Sequence, residues 1–505
     1  MPPLKTPSLN KIVFFPPLIL LVFTIAYATA SPEAFLAQVK GINHWILNNF
    51  GWLFNWSTFI FLIILIFVYF SPLGSKKIGG EKAVPLVNKW SWFAIAICTT
   101  TASALLFWAC AEPLYHLHAP PSGLSISAFS ETAKQFSIST LFMHWSFTPY
   151  GIYTVGGLAF ALAFYNLKQP YSISGMLFPS LKEKAHGRIG TLADMICLYA
   201  LILGMAGSLG GGLFAISGGL ESLFGIKTTP TVLAITCLTI VGIFIISSAT
   251  GLQKGIRFFS NVNIIIFFIL ATGVFTLGPT RVILVSAFEG LKDYFLDFIP
   301  RSINLNSNIN TEWSNDWTIF YLANWCAWAP ISALFLGRLG LGYTVKQFIH
   351  FNLIYPALFS ISWMSIFGGT AVHLDLINNG ELYQVMTDLG EGSAMFSLFR
   401  KLPFGLISSF LALSMLFIAY ITAADSNISA MSALSSKGIS PENQESTTWI
   451  KATWGVVIGL VAFIMISTAG IDGIRILSVL GGFPALFLII LAAYGLLKLT
   501  WETKS

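Results

Sequence analysis

The sequence predicts an all-α polytopic membrane protein. Three observations carry this. Hydrophobic residues make up 55% of the chain and mean hydropathy is +0.76, while only 10% of residues are charged. A water-soluble domain usually carries about 25% charged residues. The apolar residues gather into runs of about 20, the length of a bilayer-spanning helix. Lys and Arg divide unequally between the connections on the two sides. Disorder, a disulfide scaffold and a soluble globule are excluded by the same composition. The runs are too long, and alternate too little, for a membrane β-barrel.

Twelve spans are expected, at about 13–30, 52–71, 90–111, 139–165, 190–216, 229–249, 260–280, 317–337, 351–370, 402–424, 453–470 and 476–497. The first follows Lys5 and Lys11 and precedes small residues, as a cleaved signal peptide would. It is retained as a span because cleavage would upset the charge pattern. With both termini in the cytoplasm, 18 of the 27 Lys and Arg fall on the cytoplasmic side and 9 outside. This is the positive-inside bias.

The expected organisation is two N-terminal spans (1–89), five spans (90–280), an outer amphipathic linker (281–316), five spans (317–498) and a short cytoplasmic tail (499–505). In the linker, "RVILVSAFEGLKDYFLDFIP" has apolar residues at helical spacing, as in a helix lying on the outer surface. Residues 371–401 form a polar, acidic outer segment.

Several spans are interrupted, which in transporters marks sites. In the third, Pro113 follows Glu112, so the helix is expected to end or kink there. In the fourth, Pro149 and Gly151 disturb the ladder among Trp145, Tyr150 and Tyr153. The fifth, "GMAGSLGGGLFAISGG", permits close helix contact or unwinding, with close packing the safer reading. In the eighth, Trp325 and Trp328 are three apart, on one helical face, and Pro330 frees a carbonyl. The tenth carries Thr422, Asp425 and Ser426 toward its cytoplasmic end.

Membrane Trp and Tyr commonly form interfacial belts. Trp313 and Trp317 fit that reading. Trp145 and Trp325 lie deeper, with Tyr153 a turn or two beyond Trp145. Ring faces beside helix breaks suit a quaternary ammonium, which offers no hydrogen-bond donor and is held by cation–π attraction; ordinary packing is the competing account. No buried carboxylate dominates: Asp194 and Asp425 read as helix-end or loop-contacting charges, not mid-membrane proton relays. His116 and His118 sit near an outer helix end, and no metal site is expected. All five cysteines lie in apolar stretches and read as buried hydrophobes. There is no phosphate-binding loop, no convergent catalytic set and no basic cluster for nucleic acid. An enzyme is therefore not expected.

Ordered segments resemble the betaine/choline/carnitine transporter (BCCT) family across about 10–498: "FWACAEPLYH" (107–116), "HWSFTPYGIY" (144–153), "GLQKGIRFFSNVN" (251–263), "NWCAWAPISALFLGRLGLGYTVKQFI" (324–349), "SWMSIFGGTA" (362–371) and "TAADS" (422–426). The resemblance implies twelve helices and a LeuT-like fold, with helices three to seven and eight to twelve as an inverted repeat of five. It implies a cation cage from Trp145, Tyr150, Tyr153 and Trp325, with Trp328 at a more cytoplasmic aromatic position. The family often has Trp where Tyr150 and Asn324 stand here. Its Gly-rich stretch in helix three reads "TTASALL" (100–106) in this chain. Its sodium-binding Thr-Ser pair is Thr422-Ala423, with the backbone near Thr101 as a further contributor. No cofactor is expected beyond Na+ as a coupling ion. The partners implied are a small zwitterionic or cationic solute and the lipid bilayer, with a homotrimer as in some relatives. Some members sense osmotic stress through a long basic tail; after the last span this chain has only "TWETKS", so such sensing is not expected. The function implied is secondary transport of small quaternary ammonium compounds in a bacterial inner membrane. Glycine betaine comes first, choline or carnitine behind it. The alternatives are a carrier of amino acids or other non-quaternary solutes and a non-transporting membrane sensor or scaffold.

Overall fold

The computed structural model describes residues 8–250, 253–305, 311–437 and 447–503, and the side chains in them outside 94, 98–104, 247–250, 253–261 and 425–426. The chain is nearly all helical. The long helices are α1 (Lys11–Ala30), α2 (Pro32–Phe70), α3 (Lys89–His118), α4 (Glu131–Trp145), α5 (Phe147–Ala161), α6 (Arg188–Phe224), α7 (Pro230–Thr250), α8 (Gln253–Leu277), α9 (Thr280–Leu296), α10 (Phe320–Leu339), α11 (Tyr355–Ile377), α12 (Gly405–Leu434), α13 (Thr448–Ala469) and α14 (Ile471–Glu502). Each of the twelve expected apolar stretches is helical over most of its length. Among the described residues, nine helical segments are long and apolar enough to cross a membrane, and ten if the bent pair of α8 and α9 counts as one. One short antiparallel pairing, Ser8–Leu9 with Ser436–Lys437, departs from an all-helical chain.

Several element ends differ from expectation. α2 begins at Pro32, which suits a first helical turn, and its 39 residues give about 58 Å of helix. It therefore overshoots a hydrocarbon core of about 30 Å. α3 does not end at Glu112. It carries Pro113 inside and continues to His118. Proline removes the bond to the carbonyl four residues back, here that of Ala109, without terminating the helix. Gly368 of α11 lies against that carbonyl, so that a Cβ there would be 3.3 Å from it. α12 runs ten residues past its expected end at 424. The acidic outer segment folds into two short helices, Glu381–Leu389 and Ser393–Arg400. The amphipathic linker is helical over Thr280–Leu296 and turns 102° from the preceding helix.

Small residues set the packing around α10. A Cβ on Gly482 of α14 would strike the backbone of Ala323, and one on Gly337 would lie 2.6 Å from the Gly157 carbonyl oxygen. A Cβ on Gly156 would lie 3.0 Å from that of Ala333. Such close approach is the usual means of joining helices in lipid, where hydrophobicity alone gives no preference. The Gly-rich α6 is one continuous helix of 37 residues. Its glycines meet neighbours directly: Gly204 faces Ala327 and Trp328, Gly210 faces Ile466, and Gly212 faces the Tyr420 ring. Close contact, not unwinding, is their use.

Candidate functional site

The fourth expected span breaks at Ser146, whose φ of −118° and ψ of −117° separate α4 from α5. Pro149, three residues on, cannot donate to the Trp145 carbonyl, so the ladder is interrupted beside Trp145. Ser146 donates its hydroxyl to the Phe142 carbonyl and holds the corner. Trp145 ends α4, and Tyr150 and Tyr153 lie on the first turns of α5. Trp325 faces them from α10.

These four side chains come together. The Trp325 ring lies 5.7 Å from Trp145, 5.7 Å from Tyr150 and 5.0 Å from Tyr153, at interplanar angles of 75°, 55° and 63°. Each is at most 3% exposed. Neither Trp145 nor Trp325 turns to the outer face of the bundle. A cation beside the cluster would lie within about 6 Å of more than one ring centroid, the range of cation–π attraction. Trp328 is set apart. Among the described residues it makes no ring contact with the other four, and its indole lies against Gly204 of α6, where a Cβ would be 3.3 Å from its nitrogen. A three-residue step leaves side chains about 60° apart around a helix, enough here to aim the two indoles at different neighbours.

The indole nitrogens are fixed by polar partners. Trp325 donates to the His144 carbonyl at 3.1 Å, and Trp145 donates to Glu112 Oε2 at 2.8 Å. Glu112 is fully buried, contrary to the expectation that no buried carboxylate dominates. Its Oε1 meets His144 Nδ1 at 2.6 Å and His116 Nε2 at 3.4 Å. One polar group from each of Glu112, His116 and His144 lies within 4.8 Å of the others. The hydrogen bonds from Trp145 and His144 engage both carboxylate oxygens. Asp375, also fully buried, is held at 2.6 Å from His118 and accepts the Tyr383 backbone N–H.

Trp317 is buried and Trp313 half-buried, and both pack inward. Trp317 is 7% exposed, with its ring 4.6 Å from His116, and Trp313 lies 5.2 Å from the same imidazole. Together they roof the Glu112 cluster. Asp194, near the start of α6, is a loop-contacting charge as expected: it accepts the backbone N–H of Ser174 at 3.1 Å. Asn324 accepts from Ser478 of α14 at 3.2 Å, a polar contact one residue from Trp325. Thr422 lies within α12 and donates to the Ile418 and Ala419 carbonyls at 2.8 and 3.0 Å. The side chains of Thr101, Asp425 and Ser426 lie outside the described residues.

Comparison with known proteins settles the class. Residues 12–505 match the family described as BCCT, betaine/carnitine/choline family transporter. The chain belongs to the BCCT family. It is a membrane transporter and not an enzyme. It is 28% identical over 501 residues to the ectoine/hydroxyectoine transporter of Virgibacillus pantothenticus, covering 99% of this chain and 98% of that one. It is 28% identical over 492 residues to a probable glycine betaine transporter of Desulfitobacterium hafniense, covering 97% of each. It is 30% identical over 455 residues to the high-affinity choline transport protein of Escherichia coli K12, covering 90% of this chain and 66% of that one.

Within this BCCT chain, sequence reasoning found the aromatic quartet and missed Glu112 and His144 as its polar support. The available signal was Glu112 beside Trp108 and ahead of His116, on a stretch otherwise apolar. The expectation that the helix ends or kinks at Pro113 drew attention from the carboxylate beside it.

Proposed function

We propose that this BCCT protein is a secondary transporter of small quaternary ammonium solutes, with glycine betaine the first candidate and choline or carnitine next. The observation that carries this is the buried Trp145–Tyr150–Tyr153–Trp325 cluster at a helix break. Ring faces favour a cation that cannot form hydrogen bonds. Alternating access between two five-helix repeats, 90–280 and 317–498, is part of the proposal, as are twelve spans, cytoplasmic termini, an inner-membrane location and a homotrimer. The family relationship and the Lys/Arg distribution support these. Trp328 is assigned to a later station on the pathway, consistent with its separate position against α6.

A second reading, a non-quaternary zwitterion, is favoured by the Asn324–Ser478 pair beside Trp325, which offers hydrogen bonding where an aromatic ring would not. A relative bearing the name ectoine/hydroxyectoine transporter aligns over nearly the whole chain.

Sodium is the proposed coupling ion, with Thr422 contributing a hydroxyl oxygen and Thr101 the neighbouring backbone. A single hydroxyl in place of two leaves one fewer hard oxygen ligand. The test is uptake by proteoliposomes of purified protein, with glycine betaine, choline, carnitine and ectoine compared under a sodium titration. Quaternary solutes should enter, and Thr422→Ala should raise the sodium requirement. No uptake of any quaternary compound under sodium gradient, proton gradient or counter-substrate refutes the substrate class. Unchanged sodium dependence in Thr422→Ala removes that residue from the ion site.

A further inference from the structure

Glu112 sits where a bare negative charge is costly. It is fully buried, as are its partners His116 and His144 to within 1%. A carboxylate in such surroundings needs a counter-charge. The nearby guanidiniums do not supply one. Arg301, after α9, lies over the Phe136 ring at 4.8 Å and is paired with Asp293 at 3.6 Å. Arg475, on α14, lies over the Trp317 ring at 5.0 Å and is paired with Asp472 at 3.5 Å. Those two rings pack on His116 at 6.0 and 4.6 Å, so each arginine stands one ring away from the cluster with its own carboxylate. Of the other titratable neighbours, Tyr115 donates to Glu391 and Tyr321 stacks on His144, both neutral phenols at ordinary pH. Asp375 of α11 is engaged with His118.

The two histidines differ in what protonation they can accept. His116 Nδ1 has no hydrogen-bond partner among the described residues. An imidazolium there would bury a donor without an acceptor, so His116 is neutral with Nε2–H toward Glu112. His144 Nε2 lies 3.1 Å from the Thr318 hydroxyl, which either donates or accepts. His144 is thus satisfied neutral or charged. One extra proton along the 2.6 Å Glu112–His144 contact brings the cluster to zero net charge.

We propose that the Glu112–His144 pair is a proton-binding site, and that a quaternary ammonium at Trp145 and Trp325 competes with that proton. The link is direct: Trp145 is bonded to Glu112 and Trp325 to the His144 carbonyl. The inference rests on the quaternary-ammonium reading given above. A cation roughly 8 Å from the carboxylate, at an effective dielectric of about 20, weakens proton affinity by about thirtyfold. By reciprocity the proton weakens cation binding by the same factor. The displaced proton passes to water, and no covalent bond changes. Choline, a bare cation, shows the full effect. Glycine betaine carries its own carboxylate and shows less.

The experiment uses the purified full chain. Choline and glycine betaine affinities are measured over a pH series of about 5 to 9, with proton release followed by an indicator dye in weak buffer. Choline affinity should tighten as pH rises, up to about thirtyfold, with protons released on binding and a smaller change for glycine betaine. Glu112→Gln keeps an acceptor for the Trp145 indole and should make choline affinity independent of pH. Choline binding without proton release, or with proton uptake, overturns the inference while leaving the transport reading intact. This wild-type measurement decides the matter even if Glu112→Gln does not fold. Absence of binding by any quaternary compound at every pH overturns both.

Discussion

Trp325 is the residue on which the aromatic cluster converges, since its ring touches Trp145, Tyr150 and Tyr153 while those three are spread over two helices. Each cation–π contact contributes about 0.5–2 kcal/mol, the upper figure when desolvated. Trp325→Leu should therefore weaken binding of a quaternary solute by about 2–30-fold, and Trp325→Phe, which keeps a ring face but not the indole N–H, by less. Trp328→Leu should change affinity little, because its indole faces Gly204 instead. Isothermal titration of the three variants checks the ranking, and equal losses at 325 and 328 would count against the cluster as the cation site. The quartet was legible in the sequence because its members flank Pro149 and Pro330, and ring types at helix breaks are local information. Glu112 was not. Its partners are 32 and 33 residues away on another helix, and only the fold brings His144 and Trp145 to its two oxygens. Trp317 was misread for a related reason: a tryptophan near a span's outer end looks alike in sequence whether it meets lipid or, as here, an imidazole on α3.

The helices are placed by what lacks a side chain. α10 meets α14 at Gly482 and α5 at Gly156, Gly157 and Gly337, with its tryptophans pointing between these contacts. A Cβ at Gly482 meets backbone at Ala323, which cannot rotate away as a flexible side chain would. Overpacking of this kind costs about 1–3 kcal/mol. Gly482→Ala should lower the melting temperature of the purified protein and weaken solute binding together, because Ala323 lies only two residues from Trp325. An unchanged melting temperature would show that α14 can retreat from α10 without cost. The spans themselves were legible from apolar run length, but their ends were not. Hydropathy falls where a helix leaves the membrane, whereas the hydrogen-bond ladder continues, so α2 starts about twenty residues earlier than its apolar run and α12 ends ten residues later. Pro113 was expected to end or kink the helix; the helix continues through it and loses one bond, with the freed Ala109 carbonyl covered by Gly368 of α11.

At the scale of the whole molecule, orientation follows from charge and can be tested without knowing the solute. Lys and Arg lie two to one on the side assigned to the termini; long-chain cations resist translocation, so that side should be cytoplasmic. The same assignment places Lys227, exposed between α6 and α7, outside, and Lys82, exposed between α2 and α3, inside. The four cysteines with described side chains are buried, which limits background reaction with an impermeant thiol reagent. In intact cells Lys227→Cys should label with a membrane-impermeant maleimide, and Lys82→Cys only after permeabilisation. The reverse pattern would invert the chain and turn the Trp313–Trp317 roof over Glu112 toward the cytoplasm. The side of the membrane from which the Glu112–His144 proton would exchange would be inverted with it. Labelling of both sites in intact cells would mean that the stretch between them crosses the membrane an even number of times, against the three crossings expected of spans three, four and five. The expected count has α3, α4 with α5, and α6 each cross once, and these are the helices that carry Glu112, the aromatic quartet's first three members and Gly204, which faces Trp328.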